Sequence, residues 1–130
     1  MPIKSLGGAW TNGVVAVSGT SRTILASEAG TMFTNRGGGA GVTFTLPVSS
    51  SILTGWWCEF FTVAAQVLTV ASSPADNLIV HADATADTIA TAATIGQHIK
   101  VTFDGTGWLV QSDPSAASAA TAVTAVVIAT

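Results

Sequence analysis

Apolar and polar residues alternate most regularly over "HIKVTFDGTGWLVQS", residues 98–112. In an extended chain Ile99, Val101 and Phe103 face one way, while Lys100, Thr102 and Asp104 face the other. Asp104-Gly105-Thr106-Gly107 interrupts the run and a second one starts at Trp108, which predicts a β-hairpin. The same period of two recurs in shorter pieces. Arg22–Leu25, Thr31–Asn35, Val42–Leu46, Gln66–Ala71 and Leu78–Val80 read as strands, with Met32 and Thr34 opposite Phe33 in the second. Turn chemistry separates them: Asn12-Gly13, Ser27-Glu28-Ala29-Gly30 with Gly30 free to take positive φ, the Gly37–Gly41 loop, Ser49–Thr54, and Ser72–Asn77. No segment carries a sustained helical stripe. The Ala/Thr-rich residues 83–94, followed by Ile95, favour strand or loop, with a short helix over residues 84–93 as the alternative.

One strand breaks the two-face rule. In Trp56–Val63, Trp57, Phe61 and Val63 lie on one side and Trp56, Cys58 and Phe60 on the other. A strand apolar on both faces is covered on both faces. Sister copies are the simplest second cover for a small antiparallel domain; the alternative is a central sandwich strand roofed by the chain's own arm. Each ring buried would contribute roughly 1.5–3 kcal/mol, enough to hold copies together. The tail poses the same question. Residues 115–130 carry no charge and end in the β-formers Val126-Val127-Ile128. An apolar strand of this kind must dock on a neighbour or fold over its own sheet, because unpaired it invites aggregation. Trp56, Trp57, Phe60, Val126, Val127 and Ile128 are therefore the candidate oligomer interface. The division expected is an N-terminal arm and first hairpin over residues 1–21, a sandwich domain over 22–112, and a C-terminal arm over 113–130.

Composition sharpens this picture. Of 130 residues 8% are charged, against about a quarter in an ordinary soluble domain, although the apolar share of 48% is usual. Either the surface is an uncharged Thr/Ser surface, or much of it is hidden against other chains, and depletion of charge at interface cores favours the second. With Lys4, Arg22, Arg36 and Lys100 as its basic residues and a net charge of −3, the chain is not expected to bind nucleic acid. Residues 1–8 lack the apolar stretch of a secretory signal, and residues 116–130 are too short for a membrane span. The expectation is a soluble protein made inside a cell, with no membrane partner.

Catalytic chemistry is sparse. Arg36 and the glycines after it lead into a strand rather than a Lys-Ser/Thr and helix, so the loop is a β-connection and not a phosphate cradle. Spacing allows Ser112 and His98 as nucleophile and base, but nothing singles the pair out. Glu59, inside the aromatic strand, is expected at an interface or intersheet ion pair with Arg22, Arg36 or Lys100, or facing solvent at a strand end. His81 and Asp83 lie on one side of an extended segment, which is two ligands and not a metal site. Cys58, without a second cysteine to bond, reads as a small buried hydrophobe. No enzyme activity and no cofactor are expected.

In order and spacing, Thr31-Met32-Phe33-Thr34-Asn35, the Gly-rich loop, Val42-Thr43-Phe44-Thr45-Leu46-Pro47, the aromatic strand, Ala65–Val70, Asp76-Asn77-Leu78-Ile79 and Val101–Trp108 resemble the small β-domains of tailed-bacteriophage virion proteins. Head decoration (cement) proteins and head or tail fibres are among these. The resemblance covers roughly residues 22–112. It implies an all-β, single antiparallel β-sandwich or jelly-roll-like domain with extended arms, usually a homotrimer. It also implies a structural part of the virion, made in the host bacterial cytoplasm and placed on the capsid exterior with the major capsid protein as partner. A lone domain with short arms fits a cement protein better than a fibre. The alternative is a head- or tail-fibre receptor-binding module, with Trp10 or Trp108 exposed to host glycan.

Overall fold

The computed structural model describes residues 13–112 and 126–129, the last four by their backbone. Among the described residues twelve short strands build two facing sheets, and two single 3-10 turns, Ala26–Glu28 and Ser49–Ser51, interrupt the loops. The strands are β1 (Val14–Ala16), β2 (Ser21–Thr23), β3 (Met32–Thr34), β4 (Val42–Thr45), β5 (Trp57–Phe61) and β6 (Leu68–Ala71). After them come β7 (Leu78–Val80), β8 (Asp83–Ala86), β9 (Thr88–Thr91), β10 (His98–Phe103), β11 (Trp108–Ser112) and β12 (Val126–Ala129). No α-helix occurs among the described residues, so the helix alternative over 84–93 is set aside: those residues form β8 and β9. Threonine and isoleucine there prefer the pleated backbone.

The sheets run β1-β3-β5-β10-β11-β7-β8 and β12-β9-β6-β4-β2. Both are mixed. β1–β3–β5 are parallel neighbours, as are β2–β4–β6. The chain thus alternates between sheets through its first six strands, winding three successive coils as a β-solenoid does. This corrects the expected antiparallel, jelly-roll-like sandwich. The all-β class stands, but the loops 17–20, 24–31, 35–41, 46–56 and 62–67 carry the chain across to the opposite sheet instead of folding it back beside itself. A period of two is the same in parallel and antiparallel strands, so only these crossings decide the matter. Residues 14–17, assigned above to the arm and first hairpin, lie in the body: β1 pairs with β3, and Val15 and Val17 pack on the core. Asn12 lies outside the described residues.

The core between the sheets follows the alternation. Phe33, Cys58, Phe60, Ile99, Val101, Phe103, Trp108 and Leu78 point inward from the seven-stranded sheet. Val42, Phe44, Leu68, Val70 and Ile89 meet them from the five-stranded sheet. At the centre Phe44 lies 5.6 Å from Phe33 and 5.1 Å from Phe60, ring centroid to centroid, tying the two layers together. Arg22 also points inward. Its guanidinium sits 5.0 Å from the Phe33 ring centre and 2.7 Å from Glu28 Oε2, while Glu28 Oε1 accepts the Leu25 N–H.

The two ends of the paired sheets close differently. At one, Trp56 packs edge-on against Trp108, with centroids 5.6 Å apart, and Trp56 Nε1 donates to the Ala26 carbonyl. At the other, polar side chains take over the backbone groups that the sheets leave unpaired. Asn35, fully buried, accepts the N–H groups of Val63 and Ala64 at Oδ1 and donates to the Ala64 carbonyl. Thr62 Oγ1 donates to the Thr94 carbonyl and accepts the Gln97 N–H, and Gln97 Oε1 accepts the Ala92 N–H.

The β10–β11 hairpin has the register expected, from Ile99 opposite Ser112 to Phe103 opposite Trp108. Asp104 Oδ1 accepts the N–H groups of Gly107 and Thr106, both at 2.8 Å, which holds its carboxyl below the usual range. Gly105 takes φ +99°, and a Cβ there would come 2.8 Å from Thr54 Oγ1. Gly105→Ala is therefore expected to destabilise the protein by about 1–3 kcal/mol from backbone strain alone. Chemical denaturation of variant and parent measures this, and equal midpoints would count against the turn.

Candidate functional site

The outer faces of the two sheets differ in kind, and that of the five-stranded sheet is the uncharged surface that the composition allowed. On the five-stranded sheet the outward positions are Ser21, Thr43, Thr69 and Ala90 in one row, and Thr23, Thr45, Ala71 and Thr88 in the next. This is an uncharged hydroxyl and methyl surface, held by cross-strand threonine pairs.

The seven-stranded sheet presents something else. Register places Val14, Met32, Glu59, Lys100 and Gln111 in one outward row. Trp57, Thr102, Leu109 and Ile79 form a second row, with Phe61 beside His98 beyond the first. Val14 is 70% exposed, Leu109 41% and Ile79 37%, and Trp57, Phe61 and Met32 are half-buried. The two-faced strand is thus resolved within one chain only on its inner side. Cys58 and Phe60 are enclosed by the second sheet, and Trp56, at the strand's start, by the Trp108 edge. Trp57 and Phe61 keep part of their surface toward solvent.

The charges on this face are paired within it. Glu59 Oε1 lies 2.7 Å from His98 Nε2, one step diagonally across β5 and β10. Lys100 stands directly opposite Glu59, yet its Nζ sits over Trp57, 4.6 Å from the ring centre. The expected partner for Glu59 among Arg22, Arg36 and Lys100 is therefore corrected to His98. A lysine stem lying along an indole gains both apolar contact and cation–π attraction. The face is an apolar surface with its charge held inside the plane, and such a surface is cheaper to bury than one with free ions.

Of the six interface candidates, Trp57 faces outward, Trp56 and Phe60 are enclosed by their own chain, and Val126, Val127 and Ile128 form β12. Antiparallel pairing puts Val126 opposite Thr91, Val127 opposite Ala90 and Ile128 opposite Ile89, so the end of the tail completes the five-stranded sheet. The residues that pattern reading missed on the outer face are Leu109, Ile79, Met32 and Val14. A solvent-facing apolar residue on a strand carries no local signal, and only the register collects them into one face.

The catalytic and metal candidates do not assemble. Ser112 stands opposite the inward-facing Ile99, whereas His98 faces outward, so the sheet separates them. His81, with φ +40°, occupies the tight β7–β8 turn, and the Asp83 carboxylate accepts the Thr85 N–H and hydroxyl. Among the described residues no group of three His, Cys, Asp or Glu side chains could hold a metal ion. Cys58 is buried, and its burial, with Glu28 and Glu59 nearby, pushes the thiol well above its usual range. No helix of the described residues is long and apolar enough to cross a membrane. No protein-family model matches the chain, and neither does any curated protein at a significant level.

Proposed function

We propose that this chain is a non-enzymatic structural protein of a tailed-bacteriophage particle. In this reading it is a decoration (cement) protein that assembles as a trimer, binds the major capsid protein on the capsid exterior and stabilises the head. The reading rests on the resemblance of residues 22–112 to virion β-domains, and the observation that carries it is the outer face of the seven-stranded sheet. Trp57, Phe61, Leu109, Ile79, Met32 and Val14 on a rigid sheet, with Glu59, His98 and Lys100 engaged inside the same face, make a surface suited to burial against protein. A trimer straddling several capsid subunits would add modest contacts through effective concentration, so no single contact has to be strong. The receptor-binding alternative looked to Trp10 or Trp108 for glycan stacking. Trp108 is fully enclosed, and Trp10 lies outside the described residues.

The test sets one face against the other. Leu109→Glu adds a charge to the apolar face, and Thr43→Glu adds one to the threonine face. Both positions point away from the core, so both variants are expected to fold. Leu109→Glu is expected to lower the number of copies bound per undecorated particle at least tenfold, a change of about 1.4 kcal/mol in affinity, while Thr43→Glu leaves it near the parent value. Equal occupancy for the two variants would remove the seven-stranded face from the reading.

A further inference from the structure

We infer that β12 is an exchangeable strand: Val126–Ala129 of one copy completes the five-stranded sheet of a second copy by pairing with that copy's β9. The inference goes beyond the capsid reading and rests on it only for the side-by-side assembly of copies, because it concerns how those copies join one another.

Three observations carry it. First, among the described residues β12 stands at the end of its sheet and pairs with β9 alone. The edge that receives it is built without it: β9 is held by β6 on its other side, with Ile89 and Thr91 buried in the core. The receiving edge therefore exists in every copy. Second, thirteen residues, 113–125, separate the end of β11 at Ser112 from the start of β12 at Val126. At roughly 3.3–3.6 Å per residue such a connection reaches about 45 Å. A body of this size, with a radius of gyration near 13 Å, is roughly 35 Å across. The connection is long enough for β12 to reach the β9 of an adjoining copy. Third, neither strand carries a device against foreign pairing. β9 is Thr-Ile-Ala-Thr and β12 is Val-Val-Ile-Ala, with no lysine, proline or inward charge, the features by which exposed edges are blunted.

The energetic argument is one of balance. Pairing between copies repeats every β9–β12 contact made within one copy, in the same register, so the contacts themselves cost nothing to exchange. Closing the strand on its own copy gains only the modest entropy advantage of a thirteen-residue connection, which varies slowly with length. Once copies lie side by side, their local concentration cancels much of that advantage. A ring of copies, each lending β12 to the next, then leaves no β9 edge open.

Cysteine pairing at facing positions reads the connection directly. Val127 stands opposite Ala90, and directly opposed strand residues lie within the Cα separation that a disulfide bridges. Ala90 lies on the outward side of β9, so substitution there spares the core. The native Cys58, though buried in the fold, is exposed during refolding, so every chain also carries Cys58→Ala. The full chain carrying Ala90→Cys and Val127→Cys, oxidised at micromolar concentration and separated without reductant, is expected to give covalent dimers and higher multimers. A single-site mixture covers the case in which the double variant fails to fold. Chains with Ala90→Cys alone, refolded together with chains carrying Val127→Cys alone, should form a covalent heterodimer. If the double variant forms its disulfide only within single chains and the mixture gives no heterodimer, β12 belongs to its own copy and the inference is overturned. Covalent dimers from Val127→Cys chains by themselves would overturn it too, since they report β12 edges meeting each other. Particle binding enters none of these readouts, so their failure is distinguishable from failure of the capsid reading.

Discussion

Replacing Trp108 by alanine is expected to cost about 3–5 kcal/mol, which is a large part of the 5–15 kcal/mol that an ordinary domain possesses. Trp108 is fully buried at the start of β11, against the ring of Phe103 and the edge of Trp56, with centroids 5.4 and 5.6 Å away. Its backbone N–H also donates to the Asn77 carbonyl, so the residue sits where the hairpin meets β7. Truncation empties a ring-sized volume lined by aromatic side chains that cannot close over it, and the cavity term adds to the lost transfer free energy. Calorimetry of parent and variant should show the midpoint falling by roughly 10–20 °C, given about 4 °C per kcal/mol for a chain of this size. The conservative change separates packing from polarity. Trp108 Nε1 is buried with no hydrogen-bond partner among the described residues. Trp108→Phe removes that unsatisfied donor together with part of the ring, so its cost should be well under half that of alanine. A phenylalanine variant as unstable as the alanine one would show that the indole N–H has a partner after all.

Asn35→Ala is expected to be nearly as damaging for the opposite reason, at about 3 kcal/mol or more. The loss in volume is small, but the Val63 and Ala64 N–H groups, 2.7 and 2.8 Å from Asn35 Oδ1, lose their acceptor in a place where the side chain itself is fully buried. Each buried group left unpaired costs roughly 1–3 kcal/mol. The damage is also local, which provides a second measurement. Amide exchange at Val63 and Ala64 should rise well above the change at β10, whose ladder to β5 and β11 is untouched. Uniform exchange gains across the whole sheet would instead mean that Asn35 acts only through global stability.

Both residues show where pattern reading stops. Trp108 was legible as the inward end of an alternating run, because a period of two assigns side chains to faces without any knowledge of the partner strand. Asn35 was visible only as a polar residue closing a strand before a Gly-rich loop. Its function as the acceptor that pins residues 63–64 depends on β3 and β5 being parallel neighbours, which no local signal encodes. Glu59 shows the same limit within one face. Its position in the aromatic strand marked it for an ion pair, but its choice of His98 over Lys100 follows from the indole of Trp57, which occupies the lysine.

By itself the sequence determined the all-β class, most of the strands and turns though not the choice between strand and helix over residues 84–93, the inward set of large apolar residues, and the presence of more apolar strand surface than one layer of core could cover. These are properties of alternation and turn chemistry, each confined to a few neighbouring residues. The tertiary structure alone decided that the first six strands wind as parallel coils, that the outward residues of five different strands gather into one apolar face, and that β12 completes the five-stranded sheet. These depend on which strands lie side by side, and that is set by how the loops cross between layers and how the two inner faces fill one shared volume.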